Sequence, residues 1–341
     1  MKNINKLYTE CQKKSDNDTI LKSLSFLIKT SDKEYKYIAS RMDIQLAFIY
    51  QNDPKWIQQK IEDFFSGENL QAENFNGILG EIRAYGELLE LKSNSFEISE
   101  IKIPINGSDF IMTLDGEDIH IEVNTPQISS TKITSIEIES NISKSKNYTL
   151  KFDISSKAPY GYPTRKKDNI QYEAVSKFAQ IKIDKENKQF LTNKVSILWL
   201  DLNDPMIFMF NQIDYTVPIM SFNGSVTSGF IWNAFYSKKG DNIYANYNYF
   251  EKDLIQMDFN GRFNNNSNID FVVIDCFTHK VIFENHNSKK TIPKSLYKEF
   301  LNLHNLNNKN SYLSFMKRDE LQQIIELERS MSNNIFHLYK E

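Results

Sequence analysis

Apolar residues recur at three- and four-residue spacing through the first part of the chain. Ile20, Leu21, Leu24, Leu27 and Ile28 follow the capping run Asp16–Asn17–Asp18, which predicts a helix over Asp18–Thr30. The pattern repeats over Tyr35–Tyr50. A third helix is expected over Pro54–Phe65, since proline is tolerated at a first helical position. Residues 1–75 therefore read as a helical segment. A longer helix is predicted over 76–92, with Ile78, Ile82, Tyr85 and Leu89 as one apolar stripe. Gly77, Gly80 and Gly86 would let it approach a neighbouring backbone closely.

The period then shortens. Strands are expected over Phe96–Ile105, Ser108–Leu114 and Asp118–Asn124, followed by a polar stretch over Thr125–Asn169. A helix at Ile170–Ile183 comes next. Val195–Leu202 then reads as a buried strand, because its apolar run is short and continuous. Further strands are expected at Phe230–Tyr236, Ile243–Phe250, Phe271–Phe277 and Lys280–Glu284, and helices around Lys294–Leu306 and Ser314–Ser330. No internal repeat is evident. This order suggests an α/β (α+β) protein with a mixed sheet flanked by helices.

Composition narrows the class. The chain has 341 residues, 40% apolar and 25% charged, which excludes a disordered, collagen-like or coiled-coil protein. Lys and Arg number 41 against 44 Asp and Glu, so no global positive field draws it to nucleic acid or membrane. No stretch approaches the ~18 apolar residues of a membrane-spanning helix, and the first residues lack the apolar core of a signal peptide. Cys11 and Cys276 have no CxxC partner and form no disulfide scaffold. A reducing, cytoplasmic setting is expected.

The most informative stretch is Gly107–Thr125. Asp115–Gly116 is a strong hairpin turn signal. With those two residues in the turn, Leu114 faces Glu117, Ile111 faces His120, and Asp109 lies opposite Glu122. Alternation then gives a core face of Phe110, Met112, Leu114, Ile119, Ile121 and Val123. The other face carries Asp109, His120, Glu122 and Asn124. Two carboxylates directly opposed repel, so either one is protonated or a cation lies between them. A hard ion such as Mg²⁺ suits such a pair and can activate water. A solvated polar hairpin face is the plain alternative. Glu81 sits on the core-side margin of its helix, where a carboxylate needs a partner.

These residues resemble the PD-(D/E)xK, or restriction-endonuclease-like, nuclease superfamily. The helix motif GxxGExxA (Gly77 to Ala84) precedes an Asp on one strand and an acid on the next. The resemblance covers about residues 76–124 and implies Glu81, Asp109 and Glu122 as ligands of Mg²⁺, with Mn²⁺ as a substitute. It also implies hydrolysis of phosphodiester bonds in DNA, in a setting of restriction or antiviral defence. Two departures stand out. Ser108 replaces the usual Pro, and Asn124 occupies the usual Lys position. Asn124, with His120, would then orient the attacking water, or a lysine would reach in from elsewhere, Lys102, Lys132 and Lys144 being candidates. The resemblance assigns 76–205 to a catalytic core and leaves 206–341 as a strand-rich region without a role. Double-strand cleavage would favour a homodimer. The alternative is a catalytically silent nuclease fold that binds DNA or a protein.

A nucleic-acid surface is expected in the polar stretch. Residues 125–170 hold eight basic groups against four acids, including Lys132, Lys144, Lys146, Arg165, Lys166 and Lys167. Tyr160 interleaves and could stack on an unpaired base. Arg262, in an Asn260–Gly261–Arg262 turn, is a further candidate phosphate contact. His279, His286, His304 and His337 show no metal-ligand spacing. Gly224–Gly229 lacks the lysine of a phosphate loop, so a nucleoside triphosphatase is rejected.

Overall fold

The computed structural model describes residues 1–14, 18–31, 33–66, 72–126, 140–142, 146–149, 170–183, 186–203, 216, 220–222, 225–227, 229–243, 247–248, 255–265, 267–276, 279–305 and 312–316. Five helices come first: α1 (Lys2–Lys14), α2 (Asp18–Lys29), α3 (Lys33–Asn52), α4 (Pro54–Phe64) and α5 (Ala72–Asn94). Then come β1 (Ile98–Lys102), β2 (Phe110–Leu114), β3 (Glu117–Asn124), β4 (Ser140–Ile142), β5 (Lys146–Thr149), α6 (Ile170–Gln180), α7 (Glu186–Gln189) and β6 (Val195–Asp201). The remainder is β7 (Met220–Phe222), β8 (Ser225–Thr227), α8 (Phe230–Tyr236), β9 (Asn242–Ile243), β10 (Tyr247–Asn248), β11 (Ile255–Gln256), β12 (Phe271–Asp275), β13 (His279–Glu284), α9 (Lys294–Asn305) and β14 (Tyr312–Met316).

The chain forms two compact units, both discontinuous. The first comprises residues 1–126, 182–211 and 267–318, and the second 127–181, 212–266 and 319–341. The first unit holds a seven-stranded mixed sheet in the order β1-β2-β3-β6-β12-β13-β14. β3, β6 and β12 run parallel, β1, β2 and β3 pair antiparallel, β13 returns antiparallel to β12, and β14 runs parallel to β13. Central strands of a mixed sheet are covered on both faces, and every residue of β6 and β12 is buried.

The β2–β3 hairpin has the expected register, from Leu114 opposite Glu117 to Phe110 opposite Ile121. Asp115 and Gly116 both have positive φ, 51° and 81°, as the favoured two-residue hairpin turn requires. The expected core face is buried throughout.

α5 packs against both α3 and the sheet, which explains why residues 82–91 are all buried rather than one stripe of them. Two of its glycines serve close approach: a Cβ on Gly86 would lie 2.7 Å from the Gln45 carbonyl oxygen, and one on Gly80 would meet Thr125 and Asp201. Gly77 has nothing within 4 Å of that position, so no neighbour presses on it.

α5 carries charge inside. Arg83 forms a fork onto Asp201, through Nε to both carboxylate oxygens and through Nη2 to Oδ2. Arg41 of α3 donates to Glu90 at 3.0 Å, and Lys280 of β13 lies 2.9 Å from both Glu87 and Asp275. Burial pushes Asp275 up to about 6, against the pull of Lys280.

Two expectations from periodicity are corrected. Phe230–Tyr236 is helix α8, not a strand. All seven residues are buried, and a short continuous apolar run carries no period to tell the two apart. Ser314–Met316 belongs to strand β14 rather than the start of a closing helix, pairing beside β13 from Tyr312. Residues 317–330 lie outside the described residues.

In the second unit, α6 packs on α8 and Phe178 meets Phe230. Arg262 is 1% exposed and donates to the Ala179 carbonyl at 3.1 Å. That burial removes it from the candidate phosphate contacts.

Candidate functional site

Glu81, Asp109 and Glu122 come together at one end of the hairpin in the first unit, where they act on one another electrostatically. Glu81 projects from the N-terminal half of α5. Strand pairing stops at Phe110–Ile121, so Asp109 precedes β2 instead of pairing with Glu122. Its Oδ2 accepts the Val123 backbone N–H at 2.8 Å, closing the ladder with a side chain. Glu122 lies near the C-terminal end of β3 and is 1% exposed.

Two lysines meet these acids. Lys60 of α4 donates to Glu81 at 2.5 Å. Lys182, just beyond α6, donates to Glu122 Oε1 at 2.5 Å, and Gln189 of α7 donates to the same oxygen at 2.6 Å. Glu122 Oε2 is buried with no hydrogen-bond partner. Burial raises the Glu122 carboxyl to about 7; Asp109 and Glu81 add to the rise and Lys182 opposes it. Burial likewise raises Glu81, against Lys60. Burial acts to lower Lys60, but Glu81, Asp63 and Asp109 outweigh it and hold its ammonium above the ordinary value.

Lys182 has φ of 57°, in the left-handed region that a lysine seldom occupies. That conformation costs on the order of 1 kcal/mol and is here combined with an ion pair to a buried acid. Sequence gave no sign of it, since Ile181–Lys182–Ile183 reads as an ordinary helix end. Lys60 did carry a signal. It lies three residues after Ile57 and four before Phe64, on the margin of an apolar stripe, which is the argument that singled out Glu81.

The other predicted residues have separate fates. His120 is turned onto Ser108, with Nδ1 and the serine Oγ 3.1 Å apart. Burial lowers its pKa, Asp118 opposes that, and Lys194 and Lys290 reinforce it. Asn124 ends β3 opposite Leu200 and is half-buried. Lys102 is exposed and pairs with Glu100 at 3.1 Å, so it does not replace the missing lysine. Lys146 opens β5 opposite Ile142. Lys132, Lys144, Tyr160, Arg165, Lys166 and Lys167 lie outside the described residues.

A cleft of about 380 Å³ opens over Glu81 and Asp109, walled by Trp56, Lys60 and the segment 103–110 between β1 and β2. Among the described residues, no group of three or more His, Cys, Asp or Glu side chains is arranged to hold a metal ion. The chemistry of the donors nonetheless suits a hard cation: three carboxylates, one with a buried oxygen that no donor reaches. No helix among the described residues is long and apolar enough to cross a membrane. In comparisons with known protein families, curated proteins and solved structures, nothing matches this chain.

Proposed function

We propose that this protein is a metal-dependent nuclease acting on phosphodiester bonds in DNA, with a restriction-endonuclease-like core. The observation that carries this reading is the meeting of Glu81, Asp109 and Glu122 from one helix and one hairpin beside an open cleft. Glu122 is buried beside two half-buried acids, an arrangement that costs stability unless a partner offsets it. A perturbed carboxylate in a cleft marks a candidate functional site, and Glu81 is one.

Glu81, Asp109 and Glu122 would hold Mg²⁺ or Mn²⁺, the unpartnered Oε2 of Glu122 being a ready ligand atom. The ion, when bound, neutralises phosphoryl charge and makes bound water more acidic. The chain supplies the rest. The backbone of Val123 fixes Asp109. Gln189 fixes Glu122. Lys182 provides the positive charge that Asn124 cannot, at a point where it can follow either the carboxylate or an incoming phosphate oxygen. Asn124 at the end of β3 offers an amide to orient water.

The test is cleavage of plasmid and phage DNA with Mg²⁺, Mn²⁺ or EDTA, run beside Asp109→Ala. Metal-dependent nicking that disappears in the variant supports the assignment; identical nicking by the variant refutes it. A second reading, a silent nuclease fold that binds DNA, is favoured by the lysines that already neutralise Glu81 and Glu122. It predicts gel retardation of DNA, unchanged in Asp109→Ala, without cleavage under any condition.

A further inference from the structure

Beside the carboxylates the cleft has a second, apolar wall that metal chemistry does not require. Ile103, Pro104 and Ile105 project from the β1–β2 connection, Ile105 being 98% exposed and Ile103 39% exposed. Trp56 of α4 forms the opposite side, half-buried, with its ring edge against Tyr85 at 4.6 Å between centroids. Gly107, with φ of 101°, turns the chain back toward Asp109 directly after this apolar tip. A fully exposed isoleucine is common on a surface when alone. Here it shares one concavity with an indole, a proline and a second isoleucine.

We infer that this cleft receives an unpaired nucleobase next to the bond to be cut, so that the substrate is a single-stranded or locally opened nucleic acid. The inference rests on the nuclease reading and names its substrate class. Two properties support a base as occupant. The cleft volume, at the low end of small-molecule sites, is of the size that one base with its sugar fills. Trp56 and the aliphatic side chains at the rim are residue types on which single-strand binding stacks and packs a base.

The molecule has its own reporter. Trp199 and Trp232 are 2% and 0% exposed, which leaves Trp56 as the tryptophan a ligand can reach. The experiment titrates the full chain, with Ca²⁺ as the metal, with a short oligodeoxyadenylate single strand. An abasic deoxyribose-phosphate strand of equal length and charge and a blunt duplex run in parallel. The base-bearing strand should quench tryptophan fluorescence and bind about tenfold or more tighter than the abasic one. Ile105→Ser, at an exposed position that puts folding at no risk, should erase most of that preference, and Trp56→Phe should erase the quenching. Equal affinity for the two single strands, equal quenching by the duplex, or an unchanged preference in Ile105→Ser would each overturn the inference, as would no binding at all. Plasmid cleavage without base preference removes the pocket and spares the nuclease. Base preference without cleavage in Mg²⁺ removes the nuclease and spares the pocket.

Discussion

Glu122 is an acid held almost dry, and its proton should show in stability. Its folded pKa of about 7 lies above the ordinary 4.5, so the native chain keeps a proton that the unfolded chain has released. The resulting stabilisation is complete below about pH 4.5 and fades as pH rises through 7. Glu122→Gln removes this dependence. In metal-free protein the variant should melt near the wild-type temperature at pH 5 and above it at pH 8, a gap of about 1–3 kcal/mol. Parallel calorimetric scans at the two pH values check this, and parallel loss of stability by both proteins would contradict it. Lys182 permits a second separation. Lys182→Gly relieves the left-handed backbone but takes the ammonium from Glu122, so melting should hold at pH 5, where Glu122 keeps its proton, while cleavage falls about tenfold to a hundredfold. A variant that loses both together would make Lys182 a purely structural residue.

Among the elements, α5 is the one whose environment departs most from its sequence. Gly86→Ala drives a Cβ into the α3 backbone at Gln45 and should cost about 1–3 kcal/mol. Gly77→Ala, facing open space in the same helix, should instead gain about 0.5–1 kcal/mol. Denaturant midpoints for the pair distinguish contact from helix propensity; equal shifts would show that packing at Gln45 does not matter. Elements governed by local chemistry were legible in advance. The hairpin register follows from Asp115–Gly116, and the helical start from regular apolar spacing. What long-range contact decides was not legible. No local pattern announces that Glu87, Glu90 and Arg83 are buried against the Lys280, Arg41 and Asp201 supplied by β13, α3 and β6. Likewise, the acids of the site could be read from local pattern, whereas Lys182 arrives sixty residues after Glu122 and has no pattern to announce it.

At the scale of the first unit, buried ion pairs link α3, α5 and the strand ends. Arg83→Met leaves Asp201 without its guanidinium and should cost about 3–5 kcal/mol, whereas Arg83→Met with Asp201→Leu should recover most of it. Urea unfolding of both variants tests the pair, and a double variant no better than the single would show that the polar contacts of Asp201 with Thr125 and Asn203 matter more. The sheet also has a temporal consequence. β3 carries Glu122 but finds its parallel neighbour in β6, which in turn needs β12. About 150 residues separate Asn124 from Asp275, so a ribosome adding roughly 5–20 residues per second needs roughly 8–30 s to deliver the missing strands. A nascent chain thus bears all three acids well before β6 and β12 exist to complete the sheet beside Glu122, so the candidate site is assembled only after Asp275 has emerged.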